Sequence, residues 1–314
     1  MTDLLDLDLV FVTGKGGVGK TTVAAAIAEV AARSGRSVLV CEMDAKGALA
    51  TAFEVTELAF ETTEVSPNLH AMSMSTEDSL REYLRLYVKI PLIGRLGVLA
   101  STFDFVADAA PGVKEILSVG KLCWEVKERN YDLVVVDAEA SGHVVSQIGA
   151  PRVIADLVKV GLVREQTQWM LDILEDPERT GVVVTTTPEE MPVIESIELL
   201  ERLTAETGTH AAAVVANRVL PAMFDRKEQV VARRIGDALP TLVDSIGPGV
   251  TAVVDAASII EARRAIGVEH LDRLRAAIGG DRPIPIITVP ELFSRAHGRR
   301  VVTLVADGLE EELG

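Results

Sequence analysis

The chain alternates between short apolar runs rich in β-branched residues and longer segments with helical periodicity. The short runs are apolar at nearly every position, which is typical of strands covered by helices on both faces. Strands that alternate with helices predict a doubly wound, mostly parallel α/β sheet. Seven strands are predicted, at residues 9–13, 37–41, 69–74, 133–136, 181–185, 212–216 and 284–289.

The longer segments predict helices and one helical insertion. Gly35 and Gly208 follow two of these segments, at the place where a glycine commonly ends a helix. Two stretches, about 77–130 and 150–178, contain helical sequence without an intervening strand. We expect them to form a helical subdomain inserted in a single domain of residues 1–314. Six helices are predicted, at residues 20–34, 77–88, 114–129, 189–207, 257–277 and 301–312.

Composition and charge narrow the classes of protein to consider. The 314 residues are 48% hydrophobic, enough for one large core, and the net charge is −16. Such an acidic protein repels nucleic-acid phosphates and anionic lipids, so we expect no nucleic-acid partner. The first ten residues lack a basic segment, and no apolar run reaches the roughly 18 residues of a membrane span. We therefore expect a cytoplasmic protein without stable membrane insertion, whose two cysteines, Cys41 and Cys123, lie in the core.

Residues 14–21 read GKGGVGKT and fit the phosphate-loop pattern G-x-x-x-x-G-K-[ST]. An apolar strand precedes them and a helix follows, so backbone N–H groups and the helix N-terminus can surround a phosphate. Lys20 is expected to reach the β- and γ-phosphates of ATP, and the Thr21 hydroxyl to bind Mg²⁺. The candidate nucleotide-binding residues of this segment are Gly14, Lys15, Gly16, Gly17, Val18, Gly19, Lys20, Thr21 and Thr22.

Two aspartates follow predicted strands, where ligands bind in open α/β sheets. Asp137 ends the run 133–136 and is the candidate carboxylate for the water shell of Mg²⁺. Asp44 follows the run 37–41. Together with Thr21, these residues predict a site for MgATP.

With Lys15 included, the loop reads K-G-G-V-G-K-T-T and resembles the deviant Walker A motif of the MinD, ParA, nitrogenase iron protein and ArsA-like ATPases. In that group the extra lysine reaches across a nucleotide-sandwich dimer to the partner's phosphates. The resemblance therefore implies that Lys15 is catalytic and that the chain dimerises, either with itself or with a paralogous ATPase. A second cation beside the transferred phosphoryl group would stabilise its developing negative charge.

Residues 44–49, D-A-K-G-A-L, narrow the resemblance to the ArsA-like family, whose first switch reads D-P-A-H-N-L. This family includes arsenite-efflux ATPases and ATPases that target tail-anchored membrane proteins. The resemblance implies that Asp44 positions or activates the attacking water, although the proline, histidine and asparagine are replaced. Residues 137–145 keep the D, G and H of the second switch and add Glu139. His143 either reports the phosphate state or caps a helix.

Further motifs extend the resemblance along the chain. Residues 110–112, A-P-G, match the segment before the family's helical region, and residues 215–221, V-A-N-R-V-L-P, resemble V-V-N-Q-x-L-P. The resemblance implies that Asn217 recognises adenine, since an amide offers both a donor and an acceptor. Pro290 is expected to help close the adenine pocket through backbone groups.

These features together predict an ArsA-like ATPase. Lys15, Lys20 and Asp44 are the expected catalytic residues, and hydrolysis is expected to switch a dimer between open and closed forms. An alternative is a nucleotide-binding structural subunit of a heterodimer that hydrolyses little by itself. The apolar segment 87–105 has two interpretations, either a groove for a hydrophobic or membrane-protein client helix or ordinary subdomain core.

Overall fold

The computed structural model describes residues 4–83, 85, 112–158, 160–280 and 283–313. The segment 87–105 lies outside this part of the chain, and so do Ala110 and Pro111. The predicted division into a main body and a helical subdomain therefore stays a prediction.

A single sheet of eight strands forms the centre of the structure, in the order β3-β4-β2-β5-β1-β6-β7-β8. Every neighbouring pair is parallel except β3 and β4, which are antiparallel. All seven predicted strands are confirmed. Strand β3 was missed because it is a short polar edge strand with no apolar signal. The strands are β1 (Leu9–Gly14), β2 (Val38–Glu42), β3 (Thr63–Ser66), β4 (Leu69–Ser73), β5 (Leu133–Asp137), β6 (Thr180–Thr186), β7 (Ala211–Val219) and β8 (Ile286–Pro290).

Helices lie on both faces of the sheet, as the sequence predicts. They are α1 (Lys20–Arg33), α2 (Ala48–Phe53), α3 (Thr76–Tyr83), α4 (Val113–Lys127), α5 (Ser141–Leu157), α6 (Leu162–Leu174), α7 (Glu190–Thr207), α8 (Arg226–Ile246), α9 (Gly249–Ile278) and α10 (Arg299–Leu313), with a 3-10 turn at Leu4–Asp6.

The largest difference from the predicted helices lies between β7 and β8. The predicted helix 257–277 is the second half of the longer α9, and α8 was missed altogether. Asp225 and Glu228 form a capping box at the start of α8, with Asp225 accepting from the Glu228 N–H at 2.7 Å. The Asp-x-x-Glu spacing is a sequence signal for the start of a helix. Pro240 lies inside α8, and a proline at such a position argues against a continuous helix when only the sequence is considered.

Alternating strand residues divide the core into two layers. Val38 and Val40 of β2 pack in the layer that contains the buried, alanine-rich α1, together with α10. Leu39 and Cys41 pack in the other layer, against α4, α5 and α7. This alternation decides which face each residue at a strand end occupies.

Both cysteines lie in the second layer, as predicted. Cys41 and Cys123 are buried and unbridged. Burial raises the pKa of the Cys123 thiol to about 12 and that of Cys41 further. Both thiols are therefore protonated core groups at neutral pH. Within the described residues, no helix combines the length and the hydrophobicity that crossing a bilayer requires.

Candidate nucleotide-binding site

The phosphate loop connects the end of β1 to the start of α1, as its motif predicts. Gly14, Gly17 and Gly19 have φ values of 145°, 87° and 96°, a region that side chains strain to adopt. A Cβ on Gly14 would lie 2.1 Å from the Thr185 carbonyl oxygen of β6. By contrast, Gly16 and Gly17 have no heavy atom within 4 Å of a Cβ position, so the loop leaves open space there.

Lys20, Thr21 and Asp137 converge at the start of α1. The Thr21 hydroxyl donates to Asp137 Oδ2 at 2.6 Å, across 116 positions of sequence. Burial raises the pKa of Asp137 to about 6, although the Thr21 hydrogen bond and Lys20 oppose that rise. Burial also lowers the pKa of Lys20, whose ammonium donates to the Lys15 carbonyl at 3.3 Å. Thr22, on the same turn of α1, is half-buried.

A second buried carboxylate, which the sequence analysis missed, ends the neighbouring strand. Glu42 is the register partner of Asp137 in the parallel β2–β5 pair, and it is 2% exposed. Its Oε1 accepts from the Ala48 N–H at 2.8 Å, at the start of α2. Its sequence signal was the same one that identified Asp137, namely an acidic residue directly after an apolar strand.

Asp44 lies on the segment between β2 and α2, and its side chain is 46% exposed. It forms an ion pair with Lys46, two residues further along the same segment. The charges of both residues act on the pKa of Lys20, Lys46 lowering it and Asp44 raising it. Asp44 therefore lies near the phosphate loop, with its carboxylate engaged by a residue of its own segment.

Lys15 is held by its own chain. Its ammonium contacts Glu195 Oε1 of α7 at 2.5 Å, and each side chain is about one third exposed. Glu195 lies 180 positions away in sequence, inside an ordinary helical pattern. No local signal in the sequence marked it as part of the site.

The second switch segment is tied to the phosphate loop through Glu139. The Thr13 hydroxyl donates to the Glu139 carbonyl at 2.9 Å, and Gln147 donates to its Oε1 at 2.8 Å. His143 lies at the start of α5, is 77% exposed, and approaches Glu139 at 3.9 Å. The added acidic residue thus connects β1 to α5.

Asn217, the predicted adenine-recognition residue, lies directly beneath the phosphate loop. It is 6% exposed, its Nδ2 donates to the Val18 carbonyl at 2.8 Å, and its Oδ1 accepts from the Arg218 N–H at 3.0 Å. Asn217 therefore braces the loop, and a base would have to compete for these groups or approach beside them.

A cavity of about 580 Å³ opens beside Asn217, at the carboxyl ends of β6, β7 and β8. Arg218, Leu220 and Phe293 are among its lining residues, and Phe293 is 71% exposed. Pro290, the other predicted base-pocket residue, is exposed at the end of β8, and its neighbour Glu291 lines the cavity. The position and volume of this cavity suit a nucleotide base.

Comparison with known proteins agrees with this geometry. The sequence profile described as "Anion-transporting ATPase" matches residues 7–167 and 157–245. The chain belongs to the anion-transporting ATPase family. Over 69% of its length it is 31% identical to the "ATPase BagA" of Mycobacterium tuberculosis, and the match spans 66% of that relative.

Two further relatives place the chain more broadly within the anion-transporting ATPases. It is 23% identical to the "Putative arsenical pump-driving ATPase 1" of Aquifex aeolicus, over 97% of this chain and 87% of that one. It is 27% identical to the "ATPase GET3" of Mycosarcoma maydis, over 69% of this chain and 74% of that one. All three relatives are ATPases by name, and the match to the Mycobacterium tuberculosis relative spans less than two thirds of its length.

The residues at this site suit a Mg²⁺ ion and a triphosphate. The Thr21 hydroxyl and the Asp137 carboxylate are hard oxygen donors, the ligand type that Mg²⁺ prefers. The Asp137 Oδ1 atom is buried without a hydrogen-bond partner, and so is Glu42 Oε2. The open space at Gly16 and Gly17 offers backbone amides to an anion.

Proposed function

We propose that the chain binds MgATP at the phosphate loop and hydrolyses it. The observation that carries the proposal is the hydrogen bond between Thr21 and the buried Asp137, which brings two magnesium-binding groups together beside Lys20. Mg²⁺, when bound, would neutralise phosphate charge. Thr21 and Asp137 would hold it, Lys20 and the loop amides would hold the phosphates, and Asp44 would orient the attacking water.

The role of Lys15 in this proposal requires a change of contact. A lysine bound to Glu195 of its own chain cannot reach the phosphates of a second chain, so it must first leave that ion pair. We propose that this occurs when two chains close over nucleotide, either two copies or this chain with a paralogue. Exposed Met191 and Phe293, 54% and 71% accessible, flank the site and would be covered by such a partner.

Replacement of the phosphate-loop lysine tests the proposal directly. Lys20→Ala removes the ammonium that faces the phosphates, and we expect MgATP affinity to fall by tenfold or more, with loss of turnover. Isothermal titration calorimetry measures the affinity, and phosphate release measures the turnover. Lys227→Ala, on the exposed first turn of α8, is the matched control because it removes one positive charge outside the site. Unchanged binding and turnover in Lys20→Ala would refute the proposal.

A second candidate function is a nucleotide-bound subunit with little hydrolysis of its own. The ion pair between Asp44 and Lys46 favours it, because it occupies the carboxylate that would orient water. Turnover measured with and without a paralogous ATPase separates the two functions. Stimulation by the partner together with negligible turnover alone would select the second.

We propose a cytoplasmic protein that uses nucleotide-driven opening and closing to carry a hydrophobic or membrane-protein client. The apolar composition of residues 87–105 supports the client, and this segment lies outside the described residues.

A further inference from the structure

Glu42 occupies the same face and the same edge of the sheet as the proposed magnesium ligand. Side chains alternate along β2, and Val38 and Val40 pack in the layer that contains α1. Glu42 continues that series. Asp137 follows Leu133 and Val135 in the same layer of β5, and its Cα is the register partner of Glu42. Adjacent strands are about 4.8 Å apart, so the two carboxylates lie side by side.

Both carboxylates have an oxygen that no protein group satisfies. Glu42 Oε2 and Asp137 Oδ1 are buried and accept no hydrogen bond, although their other oxygens are bound. The two residues are 2% and 6% exposed. Two adjacent buried carboxylates are costly unless cations or donors compensate them. The pair therefore points to a positively charged ligand between or above the two strand ends.

The bound oxygen of Glu42 connects this position to the first switch segment. Oε1 accepts from the Ala48 N–H, so the glutamate anchors the end of the segment 43–47, which carries Asp44. A cation that fixes the Glu42 carboxylate would also fix the end of that segment.

We propose that Glu42 is the second carboxylate of the magnesium site, with Oε2 facing the hydration shell of Mg²⁺ and Oε1 holding the start of α2. The proposal rests on the proposed function. It makes Glu42 a positioning residue, which couples the arrival of Mg²⁺ to the placement of the Asp44 segment. Outer-shell carboxylates of this kind commonly affect metal affinity by about 10–100-fold.

Glu42→Gln tests the proposal because it keeps the size of the side chain and an oxygen for the Ala48 N–H but removes the charge. The measurement is the affinity for ADP by calorimetry, in EDTA and in excess Mg²⁺. We expect Glu42→Gln to leave metal-free ADP binding unchanged and to reduce the enhancement by Mg²⁺ tenfold or more. The melting temperature of the metal-free variant should rise, since repulsion with Asp137 is removed.

Two further variants make the result decisive. Glu57→Gln changes the same charge at an exposed position beyond α2 and should keep the full Mg²⁺ enhancement. Glu42→Asp keeps the charge on a shorter side chain and should retain part of the Mg²⁺ enhancement. This variant also provides the test if Glu42→Gln does not fold. Full Mg²⁺ enhancement in Glu42→Gln, or a melting temperature of this metal-free variant below that of the unmodified chain, would overturn the proposal. Glu42 would then serve only to hold the start of α2. If the unmodified chain binds no nucleotide in either condition, the proposed function itself fails.

Discussion

At the scale of single residues, the phosphate loop depends on contacts that leave no room for a side chain. Gly19 has φ 96°, and a Cβ there would lie 2.4 Å from Asn217 Nδ2. The same amide donates to the Val18 carbonyl, so Gly19 is the position at which a loop and a distant strand meet. The motif predicts a glycine here because the backbone must approach the phosphate closely. The structure adds a steric reason, which is the contact with Asn217.

Gly19→Ala is expected to destabilise the fold as well as the site. The strained backbone costs about 1–3 kcal/mol, and loss of the Asn217 hydrogen bond adds about 1 kcal/mol. Urea denaturation should therefore show a free energy of unfolding lower by about 2 kcal/mol or more. Gly16→Ala is the control, since its Cβ would enter open space, and it should change the stability by less than about 0.5 kcal/mol. Equal stability of the two variants would contradict this explanation.

His210, which lies outside the site, makes the stability of the fold depend on pH. Burial lowers its pKa, and its Nδ1 is buried without a hydrogen-bond partner. A group whose folded pKa lies below its unfolded value, about 6.5, contributes stability above that pH. That contribution is lost as the pH falls from 6.5 through the folded value.

Comparison of His210→Gln with the unmodified chain measures this contribution. Urea denaturation at pH 8 and pH 5 should show that the unmodified chain loses more stability on acidification than the variant does. The same substitution at exposed His297 is the control and should leave the loss unchanged. An identical loss in all three proteins would rule out His210 as the source.

At the scale of elements, the site combines strand ends, the start of α1 and one residue of a more distant helix. Strands β1, β2 and β5 supply the loop, Glu42 and Asp137, because parallel strands end at one edge of the sheet. Helix α7 supplies Glu195, which holds Lys15. In the proposed dimer, Glu195 would compete with the phosphates bound by the partner for the Lys15 ammonium.

Glu195→Gln is expected to favour nucleotide-dependent dimerisation. A partly exposed ion pair contributes about 0.2–1 kcal/mol, so its loss should lower the dimer dissociation constant about 1.4- to fivefold for each Lys15 that is released. Sedimentation velocity with a non-hydrolysable ATP analogue and Mg²⁺ measures this constant. Glu198→Gln, at an exposed position of the same helix, should behave like the unmodified chain. Weaker dimerisation in Glu195→Gln would mean that the glutamate assists the lysine.

At the scale of the whole molecule, the strand order gathers residues from distant parts of the sequence. Strand β1 lies between β5 and β6, so the phosphate loop receives Asp137 from one side and Thr185 from the other. Helix α10 packs beside α1 in the same layer of the core, on one face of the sheet, and Arg33 of α1 contacts Asp307 of α10 at 2.7 Å.

Prediction from sequence succeeded where the signal was local. The apolar runs identified seven strands, and the glycine-lysine motif identified the turn between β1 and α1. The roles of the residues in that turn and of Asp137 stay predictions. It failed where a contact joins segments far apart. Nothing near Glu195 distinguishes it from its helical neighbours, so its contact with Lys15 had no local signal.

The sequence by itself determined the class of fold, the phosphate loop and the position of Asp137 at the end of a strand, because these follow from apolar runs and from local spacing. Only the tertiary structure decided which groups meet. It paired Glu42 with Asp137, engaged Lys15 with Glu195 and placed Asn217 under the loop. Strand order and register determine which of these residues come into contact, and both depend on how the whole chain packs around the sheet.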